Sequence, residues 1–183
     1  MPFTSSLPDK YLHPIRQQIC DLIPENSSVI DIGCGHGAQL FLLSPKIKYG
    51  LGIDKKDFTK LPTPKNLEFQ VLDINQINQT FDYAILSMVL HTLNSKERKD
   101  ILQNIPAKNL IIADYQKSPS TIRNFLAHFE ELFSDHYKNF KNYFNQTNFS
   151  TLKQISTKDS AIKIWTSLHQ KELSPLFQIN KLI

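Results

Sequence analysis

Three carboxylates and a cluster of glycines are the residues of this chain best suited to hold a charged ligand. All five glycines lie between Gly33 and Gly52, and the first three fall in the stretch VIDIGCGHGAQL. Glycine is favoured where the backbone takes unusual dihedrals or where another molecule approaches closely. Asp31 precedes the first glycine by two residues, and Asp54 and Asp73 end the next two apolar runs. This arrangement predicts a ligand-binding turn with acidic side chains at its rim.

The acidic charge of this turn discriminates between nucleotide ligands. The spacing Gly33-x-Gly35-x-x-Ala38 fits the loose dinucleotide fingerprint, and free N–H groups at a helix N-terminus attract anions. A carboxylate at Asp31, however, repels a pyrophosphate and attracts a sulfonium or ammonium group. Asp54 lies where an acidic side chain accepts both ribose hydroxyls. We therefore expect a ligand with ribose, base and positive charge, and S-adenosylmethionine has all three.

Short apolar runs separated by helical patterns position these residues at one edge of a sheet. Runs of the length of buried strands lie at Ser28–Ile32, Tyr49–Ile53, Leu67–Leu72, Tyr83–Ser87 and Leu110–Ala113, with longer ones at Ala161–Leu168 and Leu176–Leu182. Strand alternating with helix is typical of a doubly wound parallel sheet. Such folds bind ligands beyond the carboxyl ends of their strands, where the glycine turn falls. Two prolines within 57–66 argue against a full helix there.

Helices are predicted between these runs. Pro14–Ile23 carries isoleucines on one face, with its proline in the first turn, and Ala38–Leu43 follows the glycines. Asn94 and Glu97 predict a capping box that opens a helix over Ser95–Ile105.

A further helix is predicted to open at Pro119. Its apolar residues along one face are Ile122, Phe125, Leu126, Phe129 and Phe133. We expect the phenylalanines of this face, which repeat at i,i+4, to pack into the core.

Five stretches of the chain resemble, in order and spacing, the successive motifs of class I S-adenosylmethionine-dependent methyltransferases. They are VIDIGCGHG, GLGIDKK, FQVLDIN, FDYAILSMVLHTL and LIIADY, and they run from Val29 to about Tyr115. The resemblance implies an α/β, doubly wound, Rossmann-like fold with three α/β/α layers. Its seven-stranded sheet is mostly parallel, with the last strand antiparallel and inserted between the fifth and sixth. It also implies one domain over 1–183, with a helical entry (1–27), a cofactor-binding core (28–115) and a substrate-side part (116–183).

The resemblance assigns cofactor contacts motif by motif. The residues implied to bind S-adenosylmethionine, or its product S-adenosylhomocysteine, are Asp31, Ile32, Gly33, Cys34, Gly35, Asp54, Lys55, Asp73, Ile74, Ser87 and Met88. The first group surrounds the methionine moiety, Asp54 binds the ribose, and Asp73 with Ile74 flanks the adenine. Ser87 to Val89 lines the methyl-transfer site. Asp73 has an alternative, since an aspartate two residues before an asparagine also begins a turn.

His91 and Tyr137 are the candidates for a general base on the substrate side. His91 follows the fourth strand, in SMVLHTL, and Tyr137 opens the segment YKNFKNYF; HYKNFKNYF as a whole resembles a substrate-side segment of some stand-alone members. A satisfied structural histidine is the alternative for His91. Cys34 has no activating partner in the sequence and is expected to be a filler rather than a nucleophile. No metal site is expected.

The predicted reaction is in-line transfer of the cofactor's methyl group to a small molecule. An RNA substrate is the alternative, favoured by the net charge of +4 and pI of about 9.0. Against it, the fourth strand is followed by LSMV rather than the Asn/Asp-Pro-Pro-aromatic motif typical of enzymes that methylate base amino groups. A non-catalytic S-adenosylmethionine-binding module is the other alternative.

Composition indicates the setting of the protein. Two cysteines form no disulfide framework, which favours a reducing compartment. No apolar run approaches membrane-spanning length, and MPFTSSLPDK lacks the order of a secretory signal. We therefore expect a cytoplasmic protein with no membrane partner. No sequence feature indicates its oligomeric state.

Overall fold

Five α-helices and seven strands lie in the part of the chain that the computed structural model describes, which is residues 7–56, 62–146, 149, 152–155 and 161–167. The helices are α1 (Leu7–Leu22), α2 (Ala38–Leu43), α3 (Ser95–Gln103), α4 (Thr121–Glu131) and α5 (Tyr137–Gln146). The strands are β1 (Ser28–Ile32), β2 (Tyr49–Asp54), β3 (Leu67–Val71), β4 (Phe81–Ser87), β5 (Ala107–Tyr115), β6 (Lys153–Ile155) and β7 (Ile162–Thr166). Short 3₁₀ helices span Ile74–Gln76 and Leu90–Thr92.

The strands form one sheet in the order β3-β2-β1-β4-β5-β7-β6. The first five strands of this order pair in parallel, and β7 is antiparallel to both of its neighbours. The predicted doubly wound sheet with an inserted antiparallel last strand is therefore confirmed. Because β1 to β5 are parallel, their carboxyl ends meet at one edge, where the candidate site lies.

The first five strands lie at the predicted runs; β2, β4 and β5 are longer than predicted, and β3 ends one residue earlier, at Val71. Ala161–Leu168, predicted to be a strand, contains β7. The sixth strand was not predicted and is the short strand β6. This strand has only three residues, two of them exposed, so it carries no apolar run. The other predicted strand, Leu176–Leu182, lies outside the described residues.

The helix ends depart from prediction at two prolines. The helix expected to begin at Pro14 begins at Leu7 and continues through that proline, since Leu12 extends its half-buried face one turn further. The helix expected to open at Pro119 instead opens at Thr121, where the hydroxyl of Ser120 accepts from a backbone N–H. The predicted capping box of α3 is confirmed.

The outer face of α4 contradicts the sequence prediction most clearly. Phe125, Phe129 and Phe133 were expected in the core, but they are 66%, 57% and 85% exposed. The core contains instead the isoleucines of α1, the central strands and the aromatic side chains of α5. None of the helices in the described ranges is long and apolar enough to cross a membrane.

Candidate functional site

The glycine turn joins β1 to α2 in a conformation that only glycine adopts easily. Gly33, Gly35 and Gly37 all have positive φ, at 74°, 51° and 76°. The backbone N–H groups of Gly33 and Cys34 donate to the carbonyl of Ile53, at 2.8 and 3.1 Å. The turn is therefore fixed to the end of β2, and its residues Gly33, Cys34 and Gly35 are half-buried.

Close packing explains the glycine at the first of these positions. A Cβ built on Gly33 would lie 2.6 Å from Cγ2 of Val89, which follows β4. At Gly35, by contrast, a Cβ would meet no atom within 4 Å. The loop after β4 thus contacts the start of the turn, while the space over Gly35 is open.

Asp54 ends β2 and reaches back to the turn. Its Oδ2 accepts a hydrogen bond from the Gly35 N–H at 3.0 Å, and its Oδ1 accepts from the Lys56 N–H at 3.1 Å. An ionised carboxylate has about four lone-pair sites, so Asp54 can still accept hydroxyl donors. The neighbouring Lys55, a predicted cofactor contact, forms an exposed ion pair with Glu97 of α3 at 3.0 Å.

Asp31 is the buried charge of the site. It lies in β1 opposite Gly52 of β2 and is only 3% exposed. Burial raises the pKa of the Asp31 carboxyl from 3.8 to about 7; the guanidinium of Arg16 opposes this rise and the carboxylate of Asp54 adds to it. A cation bound beside Asp31 would lower this pKa again. The carboxylates of Asp31 and Asp54 therefore fit the ammonium or sulfonium group of a ligand and not a phosphate.

Cys34 lies in the glycine turn, and Ile32 precedes the turn as the last residue of β1. Burial raises the pKa of the Cys34 thiol, and Asp31 and Asp54 raise it further, so the thiol stays protonated at neutral pH. Its Sγ would lie 2.9 Å from a Cβ added to Gly52. Ile32 is buried at the end of β1. These contacts agree with a filling role for Cys34.

Asp73 lies beyond the end of β3, where it caps the 3₁₀ helix Ile74–Gln76. Its Oδ1 accepts from the backbone N–H of Asn75 at 3.0 Å and from Nδ2 of Asn75 at 2.7 Å. The turn that was the alternative for this residue is therefore present. Asp73 remains exposed and Ile74 is buried beside it, so contact with adenine stays a prediction.

The loop after β4 carries the next predicted contacts. Ser87 is the last residue of β4 and pairs with Ala113 of β5. Met88 has a positive φ of 59°, and its N–H donates to the Ala113 carbonyl at 2.8 Å. A non-glycine residue in this region is uncommon, which marks a loop whose shape is held by its neighbours.

His91 is buried between two carboxylates. Its Nδ1 lies 2.6 Å from Oδ1 of Asp114, at the end of β5, and its Nε2 lies 3.4 Å from Oε1 of Glu131, at the end of α4. Burial lowers the pKa of His91, but the two carboxylates outweigh burial and raise it to about 9. The imidazole is therefore protonated at neutral pH, with both nitrogens donating. In this state it has no nitrogen free to accept a proton.

Aromatic side chains enclose this ion pair. The rings of Tyr115, Phe140 and Tyr143 have centroids 5.0, 6.2 and 6.4 Å from that of His91. Tyr137 lies on the other side of Phe140, at 6.1 Å between centroids, and its hydroxyl is 3.2 Å from Nδ1 of His128. The two candidate bases thus occupy one aromatic cluster without touching each other.

Sequence reasoning missed the partners of His91. Asp114 was quoted within the motif LIIADY, where a carboxylate ending an apolar strand is a signal for a buried partner. Glu131 belongs to an amphipathic helix and gave no such signal. Tyr143, fully buried with Arg98 over its ring, was also not singled out.

A family model and solved structures show what this chain is similar to. The family model of methionine biosynthesis protein MetW matches residues 14–114, which contain the glycine turn, Asp54, Asp73 and His91. No curated protein matches the sequence.

Solved methyltransferase structures share the fold. A chain of the complex between the Haloferax volcanii methyltransferase activator Trm112 and its methyltransferase partner has a TM-score of 0.59 at 13% identity, over 87% of this chain and 90% of that one. Magnesium protoporphyrin IX methyltransferase of Synechocystis PCC 6803, solved with bound S-adenosylhomocysteine, gives 0.58 at 18%, over 91% and 89%. An O-methyltransferase family protein of Burkholderia thailandensis gives 0.59 at 15%, over 86% of this chain and 55% of that one. The resemblance to class I methyltransferases is confirmed at the level of fold.

Proposed function

This chain belongs to the family of methionine biosynthesis protein MetW, and we propose from that premise that it is an S-adenosylmethionine-dependent methyltransferase acting on a small molecule. One observation carries the proposal: two carboxylates converge on the glycine turn. Asp54 accepts a hydrogen bond from Gly35, and Asp31 lies buried beside the same turn with a raised pKa. This combination fits a ligand with vicinal hydroxyls and a positive charge.

The residues of the turn hold such a cofactor by complementary chemistry. Asp31 would bind the ammonium of its methionine moiety, the backbone of Gly33 to Gly35 would lie against the same part, and Asp54 would accept from the ribose hydroxyls. When bound, the cofactor supplies a methyl group that its sulfonium charge already activates. Val89, which contacts Gly33, joins the cofactor turn to the loop after β4.

Positioning is the main task left to the protein. Proximity and orientation alone can supply roughly 7–11 kcal/mol, provided that the acceptor atom is held in line with the methyl carbon. The loop Ser87–Val89 lies at the carboxyl end of β4, beside the turn. Its shape is fixed by the hydrogen bond from Met88 to β5.

The role of His91 is to hold the segment after β4 in place and not to remove a proton from the acceptor. As an imidazolium it links the 3₁₀ helix after β4 to Asp114 of β5 and Glu131 of α4. Tyr137, half-buried and hydrogen-bonded to His128, is the remaining candidate base for acceptors that must lose a proton. The ring of Phe140 packs against both His91 and Tyr137, while Tyr115 and Tyr143 pack against His91 alone.

A small-molecule acceptor is the better fit to the loop after β4. Ser87, Met88 and Val89 stand where enzymes that methylate base amino groups usually carry a Pro-Pro-aromatic motif. The net charge of +4 favours the RNA alternative, and the lysines that produce it are scattered along the sequence. A non-catalytic module would keep the cofactor turn and transfer no methyl group.

One assay separates these three functions. Purified protein is incubated with S-[methyl-³H]adenosylmethionine and either a small-molecule extract or total RNA, and the label is followed into each fraction. Transfer into the small-molecule fraction, abolished by Asp31→Asn and retained by the exposed control Asp21→Asn, supports the proposal. Label in RNA alone assigns the alternative substrate. Cofactor binding with no transfer of label to either fraction overturns the proposal that the protein is a methyltransferase.

A further inference from the structure

Helix α4 has its apolar face turned away from the protein. The large apolar side chains of this face and of the turn that follows are 46–85% exposed. They are Ile122, Phe125, Leu126, Phe129, Leu132 and Phe133. We call these six residues the α4 patch. An amphipathic helix ordinarily buries its apolar stripe, so the α4 patch is a candidate interaction surface.

The polar face of α4 makes the contacts with the rest of the protein. Glu131 contacts His91 at 3.4 Å, Glu130 accepts from the Tyr115 hydroxyl at 2.9 Å, and His128 contacts the Tyr137 hydroxyl at 3.2 Å. These contacts fix the rotation of the helix about its axis. The α4 patch cannot turn inward without breaking the buried charge pair of His91.

The size of the α4 patch is that of one side of a protein interface. Six side chains exposed to this extent present roughly 600 Å² of apolar surface, since an aromatic side chain can bury about 150–250 Å². The largest patch on a monomeric protein is about 300–600 Å². A stable interface buries about 800 Å² on each partner, of which about 60% is apolar, so the α4 patch is large enough to supply the apolar part of one side of such an interface.

The spacing of the α4 patch is self-complementary. Four of its residues, Ile122, Leu126, Phe129 and Phe133, follow one another at steps of four, three and four residues, which read the same in both directions. The first three lie on α4, and Phe133 lies in the turn directly after it. An antiparallel copy therefore meets this row with matching spacing, Ile122 against the partner's Phe133 and Leu126 against the partner's Phe129. Antiparallel helices also oppose their dipoles favourably.

We propose that the α4 patch is the interface of a homodimer, in which two copies of α4 pair antiparallel about a two-fold axis. Such an interface uses the same surface on both subunits, as two-fold dimers do. In the dimer, α4 of each subunit packs against α4 of its partner. This packing stabilises the position of α4 and therefore the contact between Glu131 and His91.

Sedimentation equilibrium of the full chain tests the proposal. The wild type is expected to have the mass of a dimer at about 50 µM, because interfaces that bury about 1,600 Å² in total have dissociation constants of about 1 µM or below. Phe129→Glu is expected to give a folded monomer, and the control Val71→Glu, at an exposed apolar residue outside the α4 patch, is expected to remain a dimer. Circular dichroism of each variant reports whether it folds.

A monomeric wild type overturns the proposal whatever the variants do. If such a monomer dimerises only after removal of residues 168–183, the patch belongs to the chain's own C-terminal segment instead. A dimer that Phe129→Glu leaves intact while folded also overturns it.

The antiparallel pairing has a test of its own. Ile122→Glu and Phe133→Lys are each expected to weaken the dimer, and the double variant is expected to dimerise more tightly at low salt than either single variant, because the substituted side chains then face each other with opposite charge. A double variant that dimerises no more tightly than both single variants would overturn the antiparallel arrangement.

Discussion

Replacing Asp31 by asparagine should stabilise the unliganded protein at alkaline pH and abolish cofactor binding. Burial raises the pKa of Asp31 from 3.8 to about 7. A group whose pKa is higher in the folded state contributes stability below its unfolded pKa, and this contribution is lost as the pH rises through the folded pKa. The Asp31 carboxyl therefore lowers the stability of the free protein progressively between about pH 4 and 7, and the loss is complete above pH 7.

The magnitude follows from the two pKa values. A pKa difference of one corresponds to about 1.36 kcal/mol, so the ionised carboxylate costs at most about 4 kcal/mol at pH 8. Asparagine is also polar and buried, and it leaves part of that cost in place. We expect Asp31→Asn to raise the free energy of unfolding by about 1–3 kcal/mol at pH 8 and by almost nothing at pH 4.

Urea unfolding of both proteins at pH 4, 6, 7 and 8 measures the effect. The advantage of the variant should grow between pH 4 and 7 and then level off. Binding of a cation beside Asp31 should release a proton near pH 7, which titration calorimetry detects as a dependence on buffer ionisation enthalpy. A variant that is less stable than the wild type at pH 8 would refute the argument that Asp31 is a destabilising buried charge.

Three other changes test neighbouring parts of the structure. The imidazole of His91 should titrate near pH 9 by NMR, because the carboxylates of Asp114 and Glu131 outweigh the effect of burial on its pKa. Since this pKa is raised, the stability that the protonated imidazole contributes should be lost between about pH 6.5 and 9. Glu131→Gln should lower the pKa of His91. Tyr143→Phe should leave the free energy of unfolding unchanged or raise it by about 1 kcal/mol, since this buried hydroxyl has no hydrogen-bond partner among the described residues. A lower free energy of unfolding in urea would contradict this. Gly33→Ala should destabilise the fold by about 2 kcal/mol or more, because positive φ costs about 1–2 kcal/mol and a valine side chain lies 2.6 Å from the new Cβ. Gly35→Ala, with open space around its Cβ, should keep more stability and lose ligand affinity; equal melting temperatures would contradict the packing argument.

The cofactor half of the fold could be predicted because its signals are local. The buried strands β1 and β2 are short apolar runs, and the glycines between them report a backbone that must take positive φ. The capping box of α3 is likewise formed by two residues that lie close in sequence, Asn94 and Glu97. Each of these features lies within a few residues of its cause.

The substrate half depends on contacts between distant segments. His91, Asp114 and Glu131 come from three elements, and no spacing rule joins positions 91, 114 and 131. The apolar pattern of α4 identified its apolar face correctly but not the direction in which that face points, because the polar contacts of Glu131 and His128 decide it. Strand β6 is too short and too exposed to leave a hydrophobic signal.

Isothermal titration of S-adenosylhomocysteine into the wild type, Asp54→Asn and Asp21→Asn tests the central claim most directly. We expect micromolar binding to the wild type and to Asp21→Asn. Binding to Asp54→Asn should be at least tenfold weaker, because the Asp54 carboxylate accepts hydrogen bonds from the ribose hydroxyls. Absence of binding to the folded wild type, or equal affinity in all three proteins, would contradict the assignment of the cofactor to this turn.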